Sequence, residues 1–337
     1  VYDAKDYDAM FSDGARTAAY LAAIERAVHP GSAVVEIGTG VGYFAVAACR
    51  AGARRVFAIE VNPIVELAKC VAAENGCSDR VTFIRDDSRR VTLPERGDLL
   101  VSDLRGVLPL FEDHIPTIID ARERLALPGA AMIPLRDTLF AAPCVAPADW
   151  RRDHIMPGDA PHGIGRRAVA ERVRSDWYRC HLAAPDLLAE GVAWAALDYA
   201  SIESPDVSGR AAWSFARDGV ADGLALWFDA DLGFGVSMSS APSAPRALYG
   251  QAFFPFQRAL EVRAGDRLTA ELSANLVDGD YLWGWSTRFT PATAGSEPVA
   301  FRQSNLAARI VSLDQLRRLA LHDREDDLTS PTIPSTG

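Results

Sequence analysis

Three glycines, Gly38, Gly40 and Gly42, stand in the stretch Glu36-Ile37-Gly38-Thr39-Gly40-Val41-Gly42, after one apolar run and before a helix-forming one. Glycines so placed let the chain turn sharply and let a ligand touch the backbone beside a helix N-terminus. Glu60 closes the next apolar run, 20 residues after Gly40. A carboxylate there is placed to accept hydrogen bonds from both hydroxyls of a ribose. Asp86, Asp87 and Ser88 follow a third apolar run, where an adenine amino group can be held. Taken singly, these are solvated strand ends and a tight turn. In this order within one segment, they describe a nucleoside site. A dinucleotide fingerprint would place its third glycine at position 43, where Tyr43 stands, which disfavours a nicotinamide cofactor.

The elements that must carry these groups are legible. Ala33–Ile37, Val56–Ile59, Val81–Ile84 and Leu99–Ser102 read as strands. Helices are expected from Tyr43 to Ala51, closed at Gly52, after Pro63, and from about Glu112 to Leu125, before a Pro-Gly-Ala turn and a strand near Met132. Continuous apolar strands alternating with helices predict a doubly wound α/β, Rossmann-like half with a parallel sheet. After Pro134 the grammar changes to short alternating runs at 138–142, 192–202, 223–232, 252–256, 267–276 and 281–289, separated by Gly, Pro, Asp and Ser. That pattern predicts an antiparallel β-barrel or sandwich. Charged, partly helical sequence interrupts this half at about 150–185. The expected organisation is an N-terminal helical segment over 1–30, a nucleoside-binding domain over 31–134, a barrel-like domain over 135–322 and a disordered tail over 323–337.

Composition bounds the rest. At roughly 100–200 residues per domain, 337 residues make about two domains. With 35 Lys+Arg against 45 Asp+Glu, the net charge of −10 argues against a nucleic-acid phosphate backbone as partner. The sequence has no apolar run of the roughly 18 residues that a membrane helix needs. The first residues lack the basic and apolar regions of a signal peptide, and the numbering is expected to begin inside a longer chain. Five cysteines form no C-x-x-C pair, so neither a disulfide framework nor a metal site is expected, and a cytoplasmic setting is.

Glu36–Gly42 followed by Ala51–Glu60 resembles the S-adenosylmethionine site of class I methyltransferases. More narrowly, it resembles the protein arginine methyltransferase family. Upstream, Met10 to Tyr20 matches that family's M-x-x-D-x-x-R-T-x-x-Y helix, and the resemblance gives Arg16 the methionyl carboxylate of the cofactor. Downstream, Asp103 through Glu112 occupies the family's double-glutamate loop with the same nine-residue separation. Trp227-Phe228-Asp229 resembles a motif of the family's barrel. The resemblance implies S-adenosyl-L-methionine as cofactor, with S-adenosyl-L-homocysteine as product. It assigns Arg16, Glu36, Gly38, Gly40, Gly42, Glu60, Val61, Asp87, Ser88 and Asp103 to the cofactor. It also implies a head-to-tail homodimer built on the 150–185 arm.

The acceptor side departs from the family pattern. Asp103 is one methylene shorter than the expected Glu, and Arg105 replaces a Met. Ala247-Leu248-Tyr249 stands where T-H-W is expected. Two like charges about 5 Å apart cost on the order of 3 kcal/mol at an effective dielectric near 20, roughly a hundredfold in affinity. An Arg105 facing the acceptor would therefore repel a guanidinium and instead orient a carboxyl or carbonyl. Asp103 or Glu112 would remove the proton, His114 is a further candidate base, Tyr7 joins the catalytic group, and Met10 and Tyr249 line the acceptor. Trp213, Trp227, Trp283 and Trp285 could supply a stacking platform. The expected reaction is methylation of a small-molecule acceptor in bacterial natural-product biosynthesis, an indole carbon foremost, resembling the indole C-methyltransferases built like arginine methyltransferases. Arginine N-methylation, free or in a protein, is the alternative.

Overall fold

The computed structural model describes residues 3–154, 163–293 and 295–308. The expected tail at 323–337 and part of the 150–185 arm lie outside them. Helices α1 (Ala4–Ser12) and α2 (Gly14–Ala27) lead into five strands: β1 (Ala33–Ile37), β2 (Arg55–Ile59), β3 (Val81–Ile84), β4 (Gly97–Ser102) and β5 (Ala126–Ile133). They form one parallel sheet in the order β3-β2-β1-β4-β5. Helices α3 (Tyr43–Arg50), α4 (Val65–Glu74) and α5 (His114–Arg124) make the crossovers. All five residues of β1 are buried, as a central parallel strand covered on both faces requires. The chain runs outward from β1 to β3 and then returns to β4, so the strand order reverses between β1 and β4. The carboxyl ends of these two strands open the crevice in which such sheets bind ligands.

The second half is an antiparallel sandwich. Strands β6 (Arg136–Cys144), β7 (Tyr178–Cys180), β8 (Val192–Asp198), β10 (Gly219–Gly233) and β12 (Gln251–Val262) order as β7-β12-β10-β6-β8, with β11 (Val236–Ser239) paired to β10. The facing sheet is β15-β14-β13-β9, built from β9 (Val207–Ser214), β13 (Arg267–Val277), β14 (Asp280–Thr290) and β15 (Val299–Ser304). Phe254 of the first sheet meets Trp283 and Trp285 of the second edge-on, at centroid distances of 5.1 and 5.2 Å. The arm contributes two short helices, α6 (Ala148–Asp153) and α7 (Arg167–Val173). No helix of the described residues is long and apolar enough to cross a membrane.

Two expectations change. Cys49 in α3 and Cys77 after α4 pair as a disulfide with Cα atoms 6.2 Å apart, although their spacing of 28 residues gives no sequence signal. The Pro128-Gly129 turn is absorbed into β5, whose residues 127–129 are exposed. As an edge strand, β5 tolerates a proline that a central strand would reject.

The two sandwich sheets approach closely where β9 crosses β8. A Cβ built on Gly209 would lie 1.9 Å from the Trp194 carbonyl oxygen, so only glycine fits without moving backbone. Gly209→Ala is expected to cost about 3 kcal/mol through overpacking, read as a lower denaturant midpoint. A midpoint equal to that of the native chain would contradict this close approach.

Candidate active site at the seam of the two halves

The glycine turn follows β1 as read. Gly38, Gly40 and Gly42 all have positive φ, at 75, 55 and 82°, which side chains with a Cβ rarely adopt. The turn is also crowded. A Cβ on Gly40 would meet the Tyr7 ring at 2.5 Å, and one on Gly38 would meet Leu104 at 2.5 Å. Glu60, at the end of β2, accepts from the Gly40 amide at 2.9 Å and the Asn62 amide at 2.8 Å. Its carboxylate thereby spans the turn at the switch point of the sheet and keeps lone pairs for a diol. Tyr43 opens α3 and stacks on Phe11 with centroids 3.6 Å apart, fixing the N-terminal helices over the turn. These residues fit the nucleoside of S-adenosylmethionine: a cradle without Cβ atoms, a fixed carboxylate beside it and an aromatic ring above.

Other expected cofactor residues fall differently. Glu36 is buried and accepts from the Thr39 hydroxyl at 2.6 Å. Burial pushes its carboxyl up to about 7, assisted by nearby Glu60 and opposed by the Thr39 hydroxyl. It braces the turn from inside through Thr39. Asp87 pairs with Arg89 at 2.9 Å, and Arg89 also pairs with Asp113 at 2.9 Å. That chain ties the turn after β3 to the start of α5. Ser88 is buried, and its carbonyl accepts from Arg124 at 2.5 Å. Val61 is 66% exposed beside Glu60.

The N-terminal motif has a physical explanation at each position. Asp13 caps α2 through the Arg16 amide, at 3.2 Å, and accepts from the Leu248 amide of the barrel at 2.6 Å. Thr17 donates to the Phe11 carbonyl at 2.9 Å, and Tyr20 donates to the Ser102 carbonyl at 3.0 Å. The segment thus joins helix, sheet and barrel. Arg16 then enters a buried cluster. Its Nε and Nη2 donate to Asp103 Oδ2 at 2.6 and 2.5 Å, and its Nη1 to the Met10 carbonyl at 3.2 Å. Tyr249 donates to the same Asp103 oxygen at 2.6 Å.

Arg105 completes the cluster from the other side. Its side chain is wholly buried, with Nε on Asp103 Oδ1 and Nη1 on Asp137 Oδ1, both at 3.0 Å. Its Nη2 reaches the Tyr20 hydroxyl, and Tyr199 donates to Asp137 Oδ2 at 2.6 Å. Sequence reasoning had Arg105 facing the acceptor. It points instead into the interface, where Asp137 neutralises it, and it orients Asp103 rather than a substrate. Burial alone would raise the Asp103 carboxyl, but Arg16, Arg105 and the Tyr249 hydroxyl more than offset this and hold it well below the usual carboxylate range. Asp137 and Tyr199 were missed. Each lies far from Arg105 in sequence, and the only local hint was an acid at the start of an otherwise apolar strand.

Glu112 stands apart from this cluster. It is exposed and has φ 42°, a left-handed backbone uncommon for a residue with a side chain. In the same loop Phe111 folds onto Gly106, where a Cβ would meet the ring at 2.6 Å. Tyr7 and Met10 come from α1, Asp103 and Glu112 from one loop, and Tyr249 from the barrel. The structure therefore gathers Tyr7, Met10, Arg16, Asp103 and Tyr249 near the glycine turn.

His114 is not a surface base. It is 3% exposed, its Nδ1 bonds the Pro109 carbonyl at 2.9 Å, and its Nε2 has no partner among the described residues. Burial, aided by the nearby Arg105 charge, lowers it to about 4. A histidine held neutral in the fold stabilises it fully above pH 6.5, and this contribution is lost as pH falls toward 4. The full gap corresponds to about 3 kcal/mol. His114→Asn, which keeps a donor for Pro109, is expected to flatten the fall of the denaturant midpoint between pH 7 and 4; parallel curves would count against it. Arg105→Met should cost about 3–5 kcal/mol, because it strands the buried Asp137 charge, and Arg105→Met with Asp137→Asn should recover part of the loss in a thermal melt.

A family profile described as the TRM5/TYW2 methyltransferase domain matches residues 4–123. An arginine N(omega)-methyltransferase of Streptomyces achromogenes subsp. streptozoticus is 32% identical over 274 residues, covering 78% of this chain and 74% of that protein. Protein arginine N-methyltransferase 1 of Schizosaccharomyces pombe is 24% identical over 308 residues, covering 87% and 89%. Among solved structures, the Trypanosoma brucei PRMT1 enzyme-prozyme heterotetrameric complex with AdoHcy superposes with a TM-score of 0.79 at 20% identity, covering 88% of this chain and 97% of that one. Arabidopsis thaliana protein arginine methyltransferase 10 gives a TM-score of 0.78 at 21% identity, covering 90% and 97%. The two structures establish the fold, and the Streptomyces relative spans both halves at an identity that carries family membership. With the glycine turn, Glu60 and Arg16 in place, the chain belongs to the arginine-methyltransferase-like family of class I S-adenosylmethionine-dependent methyltransferases.

Proposed function

We propose that this enzyme methylates a guanidinium nitrogen of arginine, free arginine foremost, with S-adenosylmethionine as donor. The observation that carries this reading is the inward course of Arg105. The expected repulsion of a cationic acceptor required that guanidinium to face the pocket. Its side chain has no exposed surface and is matched by Asp103 and Asp137. The Streptomyces relative named as an arginine N(omega)-methyltransferase supports the same acceptor. The indole expectation loses its platform: Trp213, Trp283 and Trp285 sit in the main core and Trp227 in a second cluster with Trp150 of the arm, all at most 5% exposed.

The sulfonium supplies a methyl group already activated for transfer. What the chain must add is position and the removal of one proton. Asp103, saturated by two arginines and held far below the usual carboxylate range, is a poor base. Its role is to fix Arg16 for the methionyl carboxylate, with Glu60 on the ribose, Gly38, Gly40 and Gly42 under the nucleoside, and Val61, Asp87 and Ser88 at its adenine end. Glu112 takes the acceptor and its proton, because an exposed carboxylate can pair with a guanidinium and pass a proton to water. Tyr249 and Met10 line the acceptor, with Tyr7 over the turn. A homodimer through the arm is part of this reading; Ile164 and Val169 at the arm, 66% and 51% exposed, support it.

Glu112→Gln should lower turnover by about two to three orders of magnitude while leaving cofactor affinity in calorimetry nearly unchanged. Equal loss of both would overturn the assignment of Glu112. With labelled cofactor, methylarginine is expected from free arginine above arginine-rich peptides, and a methylated indole with unmodified arginine would overturn the acceptor.

A further inference from the structure

A groove of about 1950 Å3 lies between the arm and the outer face of the β15-β14-β13-β9 sheet, well away from the glycine turn. The sheet register sets its floor. Arg210 of β9, Glu271 of β13, Ser286 of β14 and Arg302 of β15 form one row across the strands. The neighbouring row reads Ser208, Ser273, Gly284 and Ser304, so its side chains are short and the floor is low. Helix α7 and its flanks supply the opposite wall with Arg166 and Arg172, and Arg258 comes from β12.

The charge is one-sided. Arg166, Arg172, Arg210, Arg258 and Arg302 are all exposed in the groove, and none is in an ion pair among the described residues. Glu271 is the one exposed acid left free there among the described residues, since Glu171 is paired with Arg167 at 2.7 Å. A concave patch with this excess in a chain of net charge −10 focuses a field that attracts carboxylates. The described chain also ends at its rim. Ala307 lines the groove, and its carbonyl accepts from Arg172 Nη1 at 3.2 Å. Beyond residue 308 the sequence continues for 29 residues, to 337, and carries Asp323-Arg324-Glu325-Asp326-Asp327, four acids in five positions. The 15 residues from Ala308 to Asp323 can span up to roughly 50 Å, so reach does not limit where this run lies.

We propose that the acidic run Asp323–Asp327 docks in the arginine groove between the arm and the sandwich of its own chain. Tethering favours this occupant over a separate acidic partner, because a segment anchored at the rim meets the groove at an effective concentration of the order of millimolar. The contact joins the C-terminal segment to α7 and so bears on the setting of the arm. Solvent-exposed charges make it sensitive to salt.

The 337-residue chain permits a direct test, because its only lysines are Lys5 and Lys69, neither of which lines the groove. Arg210→Lys and Arg302→Lys each place an amine on the floor that a water-soluble carbodiimide can join to a carboxylate in contact. The expected result is a cross-linked peptide joining either position to the 323–327 run, with its yield falling at least tenfold at 0.5 M salt (about five times the ionic strength at which charges are screened over 10 Å). In an equal mixture of nitrogen-15-labelled and unlabelled chains, the link should join segments of one isotopic kind. The proposal is overturned if no link reaches 323–327, if links join chains of different isotopic kind, or if the yield is unchanged at 0.5 M salt.

Discussion

Two buried arginines against two buried aspartates hold the two halves together. Arg16 comes from α2, Asp103 and Arg105 from the loop after β4, and Asp137 from the first strand of the sandwich. Taking any one of these charges out of water alone is prohibitive, and all of them together form a neutral set with three tyrosine hydroxyls. Each half therefore lacks a complete set of partners until the other is docked. Such a cluster is a weak source of net stability but a strong source of specificity, because a shifted register leaves a charge without its partner. The Asp13 carboxylate, which accepts from the Leu248 amide, fixes the same seam with less at stake.

This constraint also divides the labour at the site. A carboxylate that accepts from two guanidiniums and a phenol is fixed in place and weakly basic. Asp103 holds Arg16 in place and has little accepting capacity left. Glu112, nine residues on in the same loop, is exposed and carries the backbone strain. One loop thus carries a buried acid paired with two arginines and an exposed acid nine residues on. The family pattern of two equivalent acids becomes, in this chain, two acids with different surroundings.

The sequence made the first half legible because its signals are local. The five parallel strands fall at or within two residues of their expected positions, except for the extension of β5 through Pro128-Gly129, and the glycine turn and Glu60 sit where their spacing placed them. The sandwich class was legible from alternation, but β7, β9, β11 and β15 were not. Strand β7 has three residues and β11 four, too short for a period to show. In β9 the inward position nearest β8 is a glycine, chosen for close approach rather than apolarity, which interrupts the pattern. Arg105 was misread because its direction depends on Asp137 and Tyr199, which only the folded chain brings to it. A charged residue in a motif carries no mark of whether solvent, substrate or a distant acid neutralises it.

Helix α1 lies over the glycine turn. Helix α1 has no buried residue along its nine positions. A capping box between Asp3 and Asp6 favours its helical state locally, and it meets the body through the Phe11–Tyr43 stack and the Tyr7 ring on Gly40. Elements with so little buried surface lie at the low end of local stability, where segments that admit ligands must be drawn from. Helix α2 immediately following buries Arg16, Thr17, Tyr20, Ala23 and Ile24 and belongs to the core. The boundary between the two falls at Asp13, whose carboxylate caps α2 and grips the barrel. The sparsely buried α1 thus joins the body on one side of Asp13, while Arg16, one turn later, is held in the charge cluster by Asp103.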